Sequence, residues 1–151
     1  MPTVSKPWAY TLHLPHDPRA PGIARATLRT VLAAHDLSPL TPTAELVAAE
    51  LLANAHLHTA GPYALRLLGR GSGKVTVAVW DTDPRVPPGF APDTDAGAVP
   101  LPVPQGDAES GRGLHLVRAC ADSWGVSVLR HLGASWGGKL LWADCQSGDV
   151  P

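Results

Sequence analysis

The pattern of apolar residues predicts an α+β domain, a two-layer α/β sandwich in which helices cover one face of a mixed, mostly antiparallel sheet. Three observations carry this. Alternating or apolar stretches of strand length fall at residues 8–14, 63–68, 74–80, 125–131 and 138–143. Two longer stretches with three- and four-residue apolar spacing separate the first strand from the second, and a short one at 114–121 precedes the fourth. The second and third strands are joined by Gly69-Arg70-Gly71-Ser72-Gly73, a glycine-rich turn that suits a hairpin and hence an antiparallel pair.

In chain order, Trp8, Tyr10, Leu12 and Leu14 alternate with Ala9, Thr11 and His13, the period of a half-buried strand. Pro15, Asp17 and Pro18 stop it, and Asp17-Pro18 reads as a helix start, because proline at the first helical position loses no hydrogen bond. Ile23, Ala26, Thr27, Thr30, Val31 and Ala34 then carry a helix to about His35. A short loop, Asp36 to Leu40, leads to Thr41-Pro42, which opens a second helix running to about His58 and closed by Gly61-Pro62. The third strand, Lys74 to Trp80, has small or apolar residues on both faces. Periodicity vanishes from Thr82 to Arg112, a stretch holding seven of the sixteen prolines; a loop that long inside a compact domain reads as a lid or binding loop. The whole chain, 1–151, is expected to be one domain with 82–112 as that lid.

Composition narrows the function. Twelve Lys and Arg against thirteen Asp and Glu leave a net charge of −1, without the basic excess that nucleic acid or an anionic membrane requires of a main partner. Hydrophobic residues make up 44%, too many for a disordered chain, yet no run is long enough to cross a bilayer. No basic start followed by an apolar stretch marks a secretory signal, and Cys120 and Cys145 lack metal-ligand spacing, so a cytoplasmic protein with reduced thiols is expected. His56 and His58, two apart on a helix, point to different faces and do not suit a shared ion; with His115 they read as satisfied or exposed side chains. The five tryptophans lie mostly on strands, where packing against helices is expected, with Trp80 a candidate to flank a bound base.

Three islands do not read as core. Glu50 and Asn54, four apart, share one face of the second helix, with Leu46, Ala49, Ala53 and Leu57 as apolar neighbours. A carboxylate there would be partly desolvated and its pKa raised, which suits a base beside an amide that holds a hydrated cation. Asp81 stands at the carboxyl end of a strand, placed either to accept a hydrogen bond from a base's amine or to satisfy backbone N–H groups of the turn. Gly111-Arg112-Gly113-Leu114 ends the long loop and opens a helix, so its backbone can approach an anion closely; a glycine hinge is the alternative.

Together and in this order these islands resemble the N box and the two glycine boxes of the GHKL ATPase/kinase superfamily, in particular its small anti-sigma-factor serine/threonine kinases. The likeness extends from His13-Leu14-Pro15 through Ala44 to Ala55 and Trp80-Asp81, and from Gly111 through Asp122-Ser123-Trp124-Gly125 to Gly137-Gly138-Lys139-Leu140-Leu141-Trp142. It implies the Bergerat ATP-binding fold with a left-handed βαβ unit, and ATP with Mg²⁺ as cofactors. By matched position, Glu50 would be the catalytic base, Asn54 would hold the magnesium, and Asp81, with Asp83 beside it, would bind the adenine. Gly111, Arg112, Gly113 and Leu114 would cradle phosphate. The implied activity is protein serine/threonine kinase in transcription regulation, with a sigma factor or an anti-sigma antagonist as partner; the alternative is a nucleotide-gated binding module without kinase activity. Relatives often pair through the first strand and helix, so a homodimer is left open. Two positions depart from the pattern. Asp83 and Arg85 stand where the first glycine box carries glycines, and Leu140-Leu141 stand where a relative often has an adenine-facing threonine.

Overall fold

A computed structural model describes residues 6–69, 71, 73–87, 121–129 and 137–146. Five strands, β1 (Trp8–Leu14), β2 (Tyr63–Gly69), β3 (Lys74–Asp81), β4 (Ser123–Leu129) and β5 (Gly138–Gln146), form one sheet in the order β1-β2-β3-β5-β4. Two helices, α1 (Ala20–Ala34) and α2 (Thr41–His58), pack on one face, with a 3₁₀ turn at Ser38–Leu40 between them. The predicted sandwich is observed, and every described strand pairing is antiparallel. Because β3 and β4 both run against β5, they are parallel to each other with β5 between them, and so need a long return connection. That connection, with the third helix expected at 114–121 and the handedness of the crossover, lies outside the described residues, as does most of the lid at 82–112. No helix among the described residues is long and apolar enough to cross a membrane.

Two-residue alternation decides which side chains meet the helices. Leu65 and Leu67 of β2, Val75, Val77 and Val79 of β3, and Leu141, Ala143 and Cys145 of β5 point into a core with Leu28 and Leu32 of α1 and Val47, Leu51 and Leu52 of α2. Cys145 is buried there. The expectation that the tryptophans pack against helices holds for Trp8 and Trp124, which flank this core. Trp80 and Trp142 belong to the opposite strand parity and lie on the sheet face away from α1 and α2. Trp80 donates from Nε1 to the Gly137 carbonyl at 3.2 Å, so it does not share a face with Asp81. Trp142 lies across its register partner Gly125, where a Cβ would strike the indole; Trp8 covers Gly69 in the same way.

Helix α1 begins at Ala20, two residues later than the Asp17-Pro18 signal, because Asp17 is used in a preceding turn. Its carbonyl accepts from Ala20 N at 2.9 Å and its carboxylate from Arg19 N at 2.8 Å. The helix ends in a Schellman motif: Leu37 N–H bonds to the Leu32 carbonyl and Asp36 N–H to the Ala33 carbonyl. Asp36 takes the left-handed position (φ 58°) that glycine usually fills, which a short polar side chain tolerates. An Arg29–Glu45 ion pair at 2.7 Å bridges the two helices on the surface, worth at most about 1 kcal/mol.

Candidate functional site

At one end of the sandwich the last turn of α2 meets the start of β2 and the end of β3. The α2–β2 connection is short, so the last turn of α2 lies beside the start of β2; there His56 Nδ1 and the Tyr63 hydroxyl are 2.8 Å apart. The start of β2 pairs with the end of β3 (Ala64 opposite Trp80), which pairs with the start of β5 (Asp81 opposite Lys139). The Cβ direction of Gly61 meets the side chain of Thr82 at 3.5 Å, a direct contact between the α2–β2 turn and the residue after Asp81. His16, just past β1, closes the same end, stacked on His56 with ring centroids 4.1 Å apart.

Asn54 is the informative residue of α2. It lies within the buried stripe formed by Val47, Leu51 and Ala55, is only 5% exposed, and its Oδ1 meets no hydrogen-bond donor among the described residues. An unmet buried acceptor costs about 1–3 kcal/mol, so it points to a ligand that completes it. Glu50, one turn earlier, is half-buried and has no ion-pair partner among the described residues; burial raises its carboxyl above the ordinary 4.5. The apolar face expected around the pair is displaced, however. Leu46 and Leu57 are exposed, Leu57 by 64%, and the buried stripe runs instead through Ala44, Val47, Ala48, Leu51, Leu52 and Ala55. The helix turns 100° per residue, so Glu50 sits at the edge of this stripe and Asn54 inside it.

Asp81 is 1% exposed on the helix-facing side, in line with Val75, Val77 and Val79. The turn reading of its position is observed. Its Oδ1 accepts from Asp83 N at 2.8 Å, closing an Asx turn that bends the chain out of β3. Its two oxygens also take the Lys139 ammonium, each at 3.0 Å, and Lys139 Nζ donates a third bond to the Asp83 carbonyl at 2.9 Å. All three donor positions of the Lys139 side chain are thereby used, so a lysine only 1% exposed leaves none of them unpaired. Burial pushes the Asp81 carboxyl up, against the opposing pull of Lys139 and the Asp83 amide. The substituted glycine positions repeat the device. Asp83 accepts from Arg85 N at 2.9 Å and pairs with the Arg85 guanidinium at 2.7 Å, which holds its carboxyl at about 2.

Gly138 is dictated by this contact. Its φ of +108° suits glycine, and a Cβ there would run into the Asp81 carbonyl oxygen. Lys139 is the site residue that sequence reasoning missed. It carried a signal, a lysine opening an otherwise apolar strand (Leu140, Leu141, Trp142), but its partner lies 58 positions away and follows only from the β3–β5 register. The structure thus places Asp81 and Asp83 at the end where the last turn of α2 meets β2, with Asn54 one turn and Glu50 two turns before the end of that helix; Gly111, Arg112, Gly113 and Leu114 lie outside the described residues, as does His115. No group of His, Cys, Asp and Glu suited to a metal occurs among the described residues, and His56 instead packs against His16 and Tyr63.

A buried amide oxygen seeking a partner, a partly desolvated carboxylate and a charged pair at a strand end can bind a hydrated cation, take a proton and read a polar ring edge. A family model described as histidine kinase-like ATPase domain matches residues 14–135, well over half of the chain. Comparison with curated proteins gives no match.

Proposed function

Because the chain belongs to the histidine kinase-like ATPase family, we propose that this end of the sandwich binds ATP with magnesium and that the bound nucleotide controls a protein partner, by phosphorylating it or by sequestering it. The observation that carries the reading is the orphaned Oδ1 of Asn54. A neutral, hard oxygen fits Mg²⁺, which keeps most of its water and takes few protein ligands, and Oδ1 would meet the ion directly or through one of its waters. When bound, the ion would neutralise phosphate charge.

The chain's own residues would do the rest. Asp81 and Lys139 would lie against the base, and Asp83 would act through its backbone, since its carboxylate is held by Arg85. Gly111 to Leu114 would present N–H groups to phosphate, as the family resemblance implies. Glu50 would accept the proton of an attacking serine hydroxyl at its carboxylate, and burial brings its pKa closer to neutrality, where a base works best. The partner in this reading is a sigma factor or an anti-sigma antagonist in a cytoplasmic regulatory switch, and two copies could pair through β1 and α1.

One observation favours the second reading, a nucleotide-gated binding module without phosphoryl transfer. The acceptor expected to read adenine is already engaged by Lys139, so the base pocket departs from the family pattern. Calorimetric titration with Mg-ATP tests nucleotide binding, and no heat at millimolar nucleotide would refute both readings. Incubation with γ-labelled ATP and the candidate antagonist separates them: phosphoserine marks the kinase, and capture of the antagonist without label marks the binding module.

A further inference from the structure

Helix α2 is apolar on the side away from the core as well as on the side toward it. The face opposite its buried stripe carries Pro42, Leu46, Ala49, Glu50, Ala53 and Leu57, with Leu46 39% and Leu57 64% exposed. Helix α1 keeps the ordinary pattern and turns Arg25, Arg29 and Thr30 to solvent. A helix apolar all round is normally enclosed, yet here the two large outer side chains meet water. Leu46 and Leu57 stand about 16 Å apart along the axis, and the small Ala49 and Ala53 between them leave room for a second helix to approach closely.

Position ties this face to the candidate site. At 100° per residue Leu46 and Leu57 lie within about 20° of one another, Glu50 about 40° round from Leu46, and Asn54 about 80° round. Glu50 therefore stands between the outer face and the buried Asn54. A body seated on the outer face meets the Glu50 carboxylate from one side, while an ion held by Asn54 would lie on the other. Charge selects the occupant. Glu50 is the single ionisable group of the face and has no ion-pair partner among the described residues. An apolar face with one unpaired acceptor fits a surface that is itself apolar and offers one donor, and a second carboxylate there would be repelled. A helix with aliphatic residues three and four positions either side of a serine presents such a surface.

We propose that the outer face of α2 is the docking surface for the protein partner and takes an amphipathic helix whose apolar side sets a serine opposite Glu50. This rests on the reading above in which a partner's serine meets Glu50. The test is fluorescence anisotropy of the full chain, without nucleotide, against a labelled and stapled helical peptide with leucines three and four residues either side of a central serine. Wild type is expected to bind it saturably. Leu46→Asp and Leu57→Asp should each weaken binding about tenfold or more, because burying a leucine is worth roughly ten- to a hundredfold. Ile23→Asp, at a comparably exposed position of α1, should change it less than about threefold. Replacing the peptide's serine by glutamate should weaken binding about fivefold or more in wild type, and that difference should vanish in Glu50→Gln. Absence of saturable binding, unchanged binding in Leu46→Asp or Leu57→Asp, an equal loss in Ile23→Asp, or a serine-to-glutamate difference that persists in Glu50→Gln would each overturn the proposal. Both leucines are exposed, so their variants should fold, and either one alone decides. Mg-ATP calorimetry on wild type tests the nucleotide reading separately: peptide binding without heat from Mg-ATP refutes that reading and keeps the docking face, and the reverse refutes the docking face alone.

Discussion

Replacing Asn54 by leucine is expected to make the ligand-free protein more stable and the site unable to bind its cation. The sign follows from the orphaned acceptor. Most buried polar residues stabilise because their partners are present, but Asn54 is 5% exposed and its Oδ1 has no donor among the described residues. The native state therefore carries an unmet desolvation cost of about 1–3 kcal/mol. Leucine keeps asparagine's branched outline though it is bulkier, removes that cost, and adds apolar contact with the stripe through Val47, Leu51 and Ala55, offset by an overpacking cost of about 1 kcal/mol. The net gain should be about 1–2 kcal/mol, or roughly 2–8 °C in a domain of this size. Urea and thermal unfolding in EDTA without nucleotide measure the gain, and calorimetry with and without Mg²⁺ measures the loss. A leucine variant less stable than wild type would show that Oδ1 is already satisfied. Unchanged Mg-dependent affinity would remove Asn54 from the cation site. Either result refutes the reasoning.

Further expectations concern the neighbouring groups. Glu50→Gln should lower phosphoryl transfer by about 10²- to 10⁴-fold while shifting ATP affinity less than about threefold, as single-turnover kinetics and titration would show. Because burial raises the Glu50 carboxyl above 4.5, the rising limb of the wild-type pH–rate profile should lie above that value and vanish in Glu50→Gln. The same shift means that the folded protein binds this proton more tightly, so the stability Glu50 contributes is present below about 4.5 and lost as pH rises through its raised value, seen by comparing urea midpoints with Glu50→Gln. Asp83 has the opposite sign. Its carboxyl is held at about 2 by Arg85, so it contributes above its ordinary 3.8 and loses that contribution as pH falls toward about 2; acid unfolding of Asp83→Asn should lack this component. Gly138→Ala drives a Cβ into the Asp81 backbone at a positive φ and should cost about 3 kcal/mol or more by urea unfolding, whereas Gly22→Ala, with open space around it, should not destabilise through steric clash.

The legible part of this protein was local. The alternation over Trp8–Leu14, the proline and turn signals around Thr41 and Gly61, and the glycine-rich hairpin before Lys74 are near-neighbour effects, and the elements fall where these signals put them to within a few residues. Where a boundary moved, a local hydrogen bond moved it, as when the Asp17 carboxylate capped a turn rather than the helix. The identity of Glu50, Asn54 and Asp81 as site candidates was also readable, because polar groups on an apolar helix or at a strand end need a reason to be there.

Tertiary structure decided how those groups are satisfied. Nothing in the spacing along α2 told that Asn54 would be enclosed while Leu46 and Leu57 would be exposed, since which stripe of an apolar helix is buried depends on the sheet it meets. Trp80 was readable as a strand residue, but the face it takes depends on which side the helices cover. The union of Asp81 with Lys139 across 58 positions came from strand register alone, and a one-residue slip would have turned the lysine to the opposite face. Periodicity is written in neighbouring residues; burial and charge pairing arise only when distant segments exclude water from one another.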